Sequence, residues 1–170
     1  MPQSTIYFRD NFFSSGITEI FNGDKERIGS LDLKSAFTSS VDVLDQNGNI
    51  TVKGHFPVFS FRWNISDGDG NALGSLKQRM SFFSKKYEYD AGERGIYSIK
   101  SEAFSKEYQI LNSDEDVIAE FRRLSGFFES PVYQLTNQSE NLFNDEVVAL
   151  VMGVNMINKR NQSSANTGAH

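Results

Sequence analysis

The chain has 170 residues, enough for one domain that buries its own core. Cysteine is absent, which excludes disulfides, thiolate metal sites and cysteine nucleophiles. The net charge of −5 disfavours nonspecific binding to nucleic acid or to an anionic membrane, except through a local basic patch, and 15 phenylalanines against 3 prolines suit β-structure rather than disorder.

From the N-terminus, Met1 to Thr5 shows neither a basic stretch nor an apolar run of the secretory kind, so the expected location is cytoplasmic. A Phe-Ser pair or close variant then recurs six times, at Phe13, Phe37, Phe59, Phe83, Phe104 and Phe128, with spacings of 24, 22, 24, 21 and 24 residues. Such a period indicates one supersecondary unit copied along the chain. Four residues on from each Phe stand Ile17, Val41, Trp63, Tyr87, Tyr108 and Val132; six on, in four copies, stand Val43, Ile65, Tyr89 and Ile110. Alternation predicts that each copy holds a strand starting at the Phe, with these positions on the buried face.

A second apolar run precedes the Phe in five copies: 28–33, 50–56, 72–80, 96–99 and 117–124. Turn sequences such as Asn47-Gly48-Asn49 and Asp67-Gly68-Asp69-Gly70-Asn71 lead into them. Two strands per copy give about twelve, joined as an antiparallel meander. Glu129 and Pro131 break the last copy, predicting a bulge or an edge there.

The segment 145–160 begins with Asp145 and Glu146 and ends with Lys159 and Arg160, the polarity a helix dipole favours, and 147–154 carries no polar side chain. A helix apolar on every side has to be enclosed, yet this run falls far short of the ~20 residues that cross a bilayer. The expected architecture is therefore mainly β: a closed twelve-stranded antiparallel barrel around a central C-terminal helix at about 145–158. One domain spans 4–160, followed by a disordered polar tail at 161–170.

With the Phe-Ser repeats, the turns Gly48-Asn49 and Gly70-Asn71, the segment 74–92 and the apolar C-terminal helix, the chain from Thr5 to Arg160 resembles the tubby C-terminal-like superfamily. That group includes tubby-like, LURP-one-related and phospholipid scramblase proteins, and the chain is similar to bacterial members of unknown function. The resemblance implies the same barrel and helix. It also implies a site, because tubby proteins bind phosphoinositide headgroups through a Lys-x-Arg strand leading into a Tyr-Asp-x-Gly turn. Here Lys77-Gln78-Arg79 precedes Tyr89-Asp90-Ala91-Gly92. Lys77 and Arg79 share the strand face opposite Ala72, Gly74 and Leu76. Lys85 and Lys86 follow, and Arg122 and Arg123 hold the corresponding strand of the last copy. A simpler reading stands beside this one. A base precedes the Phe in five copies, at Lys34, Lys53, Lys77, Lys100 and Arg122, as on any solvated strand face that deters edge pairing.

Other chemistry finds little support. Asp67-x-Asp69-x-Asn71 opens like a calcium loop but has Ala72 and Gln78 where glycine and glutamate are needed. His55 lies on a strand with no triad partners in view. Catalytic residues, metal ligands and cofactors are therefore expected to be none. The expected function is a non-enzymatic binding module for phosphorylated lipid headgroups or the membrane surface, peripheral and without a transmembrane segment. The alternative is a protein-interaction scaffold, with Phe12, Phe82 and Phe127 as exposed aromatics, and the third is a small-ligand carrier.

Overall fold

A computed structural model describes residues 3–34, 40–80, 84–101 and 106–167. Twelve strands and one long helix account for most of them. The strands are β1 (Ser4–Arg9), β2 (Gly16–Phe21), β3 (Arg27–Leu33), β4 (Ser40–Asp45), β5 (Ile50–His55) and β6 (Trp63–Asp67), then β7 (Ala72–Arg79), β8 (Lys86–Asp90), β9 (Ile96–Ser101), β10 (Tyr108–Leu111), β11 (Val117–Leu124) and β12 (Val132–Asn137). Each pairs antiparallel with its sequence neighbours, and β1 closes the ring on β12 from Ser4↔Asn137 to Arg9↔Val132. No edge strand remains, although β1 and β2 meet at only two register positions, Tyr7↔Phe21 and Phe8↔Ile20.

The meander gives the barrel two unlike ends. At the turn end, four hairpins share one geometry. Asn22, Asp45, Asp67 and Asn112 each accept, through a side-chain oxygen, the N–H groups two and four residues on, at 2.8–3.0 Å. The fourth residue of each turn has positive φ: Lys25, Gly48, Gly70 and Glu115. A one-residue register shift follows in each hairpin. This is the three-residue hairpin with a bulge, held by an Asx side chain. Those oxygens are spent on backbone N–H groups. Longer loops make up the opposite, loop end.

The helix α1 (Asn144–Thr167) enters at the turn end and passes up the lumen. Val147, Val148, Ala149, Leu150, Val151, Met152 and Val154 are at most 1% exposed. Facing them are Val41, Val43, Trp63, Ile65, Leu76, Tyr87, Tyr89 and Ile110, the inward positions of alternating strands. The Trp63 indole N–H donates to the Ala149 carbonyl at 3.1 Å, and Gly54 and Gly153 leave the room its ring occupies. α1 continues past 158 as far as Thr167, through residues expected as a tail. The Ser163 and Ser164 hydroxyls donate to the Lys159 and Arg160 carbonyls, and Asn161 bonds Gln78 on β7.

Several expectations need correction. The strands begin three or four residues after the Phe, not at it. Phe13 is core, but Phe59 is 97% exposed with φ +57, in a turn closed by Ser60 N–H on the Pro57 carbonyl. Phe128 is half-buried, packed on Phe21. Phe37, Phe83 and Phe104 lie outside the described residues. Ile17 is exposed because the tight loop 10–15 tucks both Phe12 and Phe13 inside. Gly16 (φ +105) then restarts the strand with Thr18 and Ile20 facing inward. Phe12 is fully buried and Phe127 stacks on Tyr7 at 3.8 Å, so neither is the exposed aromatic expected; Phe82 is outside the described residues. Glu129 and Pro131 sit in the loop before β12, whose pairings run without a bulge.

Candidate functional site

The outward face of β7, β8 and β9 carries the basic residues in two cross-strand rows. In the first, Lys77 stands opposite Glu88, and Glu88 opposite Ser98. In the second, Arg79 stands opposite Lys86 and Lys86 opposite Lys100, nearer the loop end. Glu88 serves both rows. Lys77 Nζ lies 3.1 Å from its Oε1, and Arg79 Nη2 and Nε lie 2.5 and 2.7 Å from its Oε2. Partial burial pushes the Glu88 carboxyl up, but the hydrogen bonds and charges of Lys77 and Arg79 outweigh it and hold it below its ordinary value.

Lys86 and Lys100 make no ion pair among the described residues. Two of the four cations thus share the Glu88 carboxylate, and the other two have no ion-pair partner among the described residues. Like charges placed directly opposite in a sheet destabilise it by a few tenths to about 1 kcal/mol per pair, so a bound anion would relieve the row. Arginine supplies a planar fork for phosphate oxygens and the lysines supply point charges.

The remaining expected residues lie elsewhere. Lys85 has the opposite parity to Lys86 and turns over the barrel mouth, where its Nζ donates to Asn158 Oδ1 at 3.2 Å. The Tyr87 hydroxyl donates to the same oxygen, and burial pushes that phenol up to about 12. Arg122 and Arg123 are on β11, separated from β7 by β8, β9 and β10. Arg122 bonds Gln134 across the pair at 3.0 Å. Lys100 enters the row only through strand register. In sequence it was one of five recurring bases with nothing to set it apart.

Below the rows, toward the turn end, an open groove of 740 Å³ runs along β6 to β8 and carries Asp90, Glu93, His55 and Ser75. Its carboxylates make it a poor neighbour for phosphate. Arg94, at one edge, instead reaches inward. Its Nη1 and Nη2 lie 2.7 Å from Glu146 Oε2 and Oε1, Nη2 also donates to the Leu73 carbonyl, and the Tyr89 hydroxyl donates to Glu146. This network closes the lumen under the first turn of α1. Among the described residues no three His, Asp or Glu side chains converge to hold a metal ion, and no helix is long and apolar enough to cross a membrane.

The family model described as LURP-one-related matches residues 5–155. The chain belongs to the LURP-one-related family. The X-ray structure of an Arabidopsis thaliana protein shares the fold with a TM-score of 0.64 at 12% identity, covering 92% of this chain and 91% of that one. No curated protein matches the chain. The family match supports a tubby-like barrel module, on which β7 to β9 carry three exposed bases, Arg79, Lys86 and Lys100.

Proposed function

We propose that the protein is a non-enzymatic, cytoplasmic module that binds phosphorylated or anionic lipid headgroups at a membrane surface. Arg79, Lys86 and Lys100, flanked by Lys77, form the contact. The observation that carries this is the row of three like charges across β7, β8 and β9, of which only Arg79 has an ion-pair partner, Glu88, among the described residues. Such a row is unfavourable alone and favourable against phosphate. The filled lumen leaves the outer surface as the place for recognition. Lys85 is proposed as a secondary contact at the mouth, and Arg122 and Arg123 as an outlying one on β11.

Sedimentation with vesicles of graded anionic content tests it. A base near an anionic surface contributes about 1 kcal/mol, so Lys86→Ala/Lys100→Ala should weaken association about 30-fold. Lys77→Ala/Arg79→Ala should also weaken it, while Arg122→Ala/Arg123→Ala should change it less. Wild-type protein that never pellets, or a Lys86→Ala/Lys100→Ala variant that pellets like wild type, refutes the assignment.

A further inference from the structure

The four most exposed large apolar side chains among the described residues are Met80, Phe59, Val58 and Phe61, at 103, 97, 83 and 72%. All four lie at the loop end: three in the connection between β5 and β6, one just after β7. Those loops spring from neighbouring strands, so the side chains share one side of the rim. Large apolar residues at the turn end, Ile28, Val117, Phe143 and Ile96, are 38, 43, 46 and 54% exposed.

The β5–β6 loop is held in place. The Arg160 guanidinium donates to the Ser60 carbonyl at 2.6 Å and lies over the rings of Phe56 and Phe61, at 4.4 and 5.7 Å from their centroids. Phe59 occupies the left-handed region, where a bulky side chain is disfavoured and glycine would be easier. The fold thus keeps an aromatic ring in water at the tip of a braced turn.

Charge divides along the same axis. Asp24, Asp45, Asp67, Asp69, Asp114 and Asp116 lie in the hairpins of the turn end, with Lys25 and Arg94 as the bases of its described turns. Arg62, Lys85, Lys106, Lys159 and Arg160 lie around the loop end, with Asp10, Glu107 and Glu129 as its described acids. Burial first, and then the charge of Lys159, lowers the Lys106 ammonium below its usual range. Apolar tips ringed by cations complement a bilayer interface, with acyl boundary under the tips and anionic headgroups around them. Arg79, Lys86 and Lys100 sit at this end of their strands.

We propose that the loop end is a membrane-docking face, with Val58, Phe59, Phe61 and Met80 entering the interfacial layer of an anionic bilayer. Arg62, Lys159 and Arg160 contact its headgroups, and the acidic turn end points away. The proposal rests on the anionic-lipid reading and adds a second, apolar component to it.

The test uses the full chain carrying Phe59→Trp. The native Trp63 is fully buried and supplies a constant background. Adding phosphatidylserine-containing vesicles should shift the new emission to the blue, and dibrominated lipids should quench it. Val117→Trp at the turn end should show neither effect. Phe59→Ser/Met80→Ser, both on exposed side chains outside the Arg160 brace, should weaken vesicle association about tenfold while leaving the unfolding midpoint unchanged. If wild type pellets with anionic vesicles but Phe59→Trp is neither shifted nor quenched, the docking face is refuted and the headgroup reading stands. If wild type does not pellet at all, both fall. A blue shift that grows with protein concentration without vesicles overturns the proposal in favour of a second copy of this chain.

Discussion

Gly153 lies where α1 presses against Trp63, and a Cβ built there would fall inside van der Waals contact with the indole ring. The ring is fixed by its bond to the Ala149 carbonyl and by an edge-on contact with Phe56 at 5.1 Å, so it cannot swing aside. Gly153→Ala gains helix propensity but overpacks the lumen, and overpacking costs typically 1–3 kcal/mol. Net destabilisation of about 1–2 kcal/mol is expected, measured by urea unfolding; a more stable variant would show that the ring gives way. In the sequence Gly153 is a flaw in an apolar helix. Its purpose follows from an indole 90 positions earlier.

At the element scale, the start of α1 is anchored by polar contacts at the turn end. Asn144 Oδ1 accepts from Ser4 Oγ at 2.8 Å and Asn137 Nδ2 at 3.1 Å, tying the helix to both strands that close the barrel. Asp145 Oδ2 accepts from Thr51 Oγ1 at 2.6 Å. Burial pushes the Asp145 carboxyl up despite that bond, with the charge of Asp45 adding to the rise. Because its folded pKa lies above the unfolded value of 3.8, the folded state binds the extra proton. That contribution is fully present below 3.8 and is lost as pH rises through the folded value. Asp145→Asn should therefore be more stable than wild type near neutrality, with the difference vanishing at low pH. Thermal unfolding from pH 3 to pH 7 reads this directly, and a pH-independent difference would contradict it. The acids that the sequence presents as a helix-dipole signal are divided by the fold: Asp145 is strained by burial, and Glu146 is satisfied by Arg94 and Tyr89.

For the whole molecule, the relevant quantity is the separation of charge between the two ends rather than the net −5. Attraction of the loop end to an anionic surface has to overcome repulsion of the acidic hairpins, and both decay within a Debye length of ~10 Å at 0.1 M salt. The barrel keeps the hairpins at Asp45, Asp67 and Asn112 a strand length away, beyond that distance for strands rising about 3.3 Å per residue, while the 22–26 hairpin packs beside the 125–131 loop, with Lys25 Nζ 5.4 Å from the Phe127 ring. Vesicle association should therefore fall steeply between about 0.05 and 0.5 M salt, leaving a residual salt-resistant fraction if the apolar tips are inserted. Titration of pelleting against sodium chloride checks this. Association indifferent to salt would remove the electrostatic component.

The sequence by itself determined the strand count, the antiparallel order and the enclosed helix. Alternation and an all-apolar run admit few solutions once a short chain has to satisfy every backbone group, and the closed barrel satisfies both. It also placed Lys77 and Arg79 on one strand face, which two-residue periodicity dictates. The tertiary structure decided what local pattern cannot carry. Register between strands brought Lys86 and Lys100 level with Arg79, set Glu88 between the rows, and turned Lys85 away. Loop geometry sent Phe59 into water and Phe12 into the core, although both belong to similar Phe-containing segments. Burial inside a strand repeats every two residues and is written locally. Convergence of charges and exposure of a loop tip depend on which distant strands are neighbours, and only closure of the barrel fixes that.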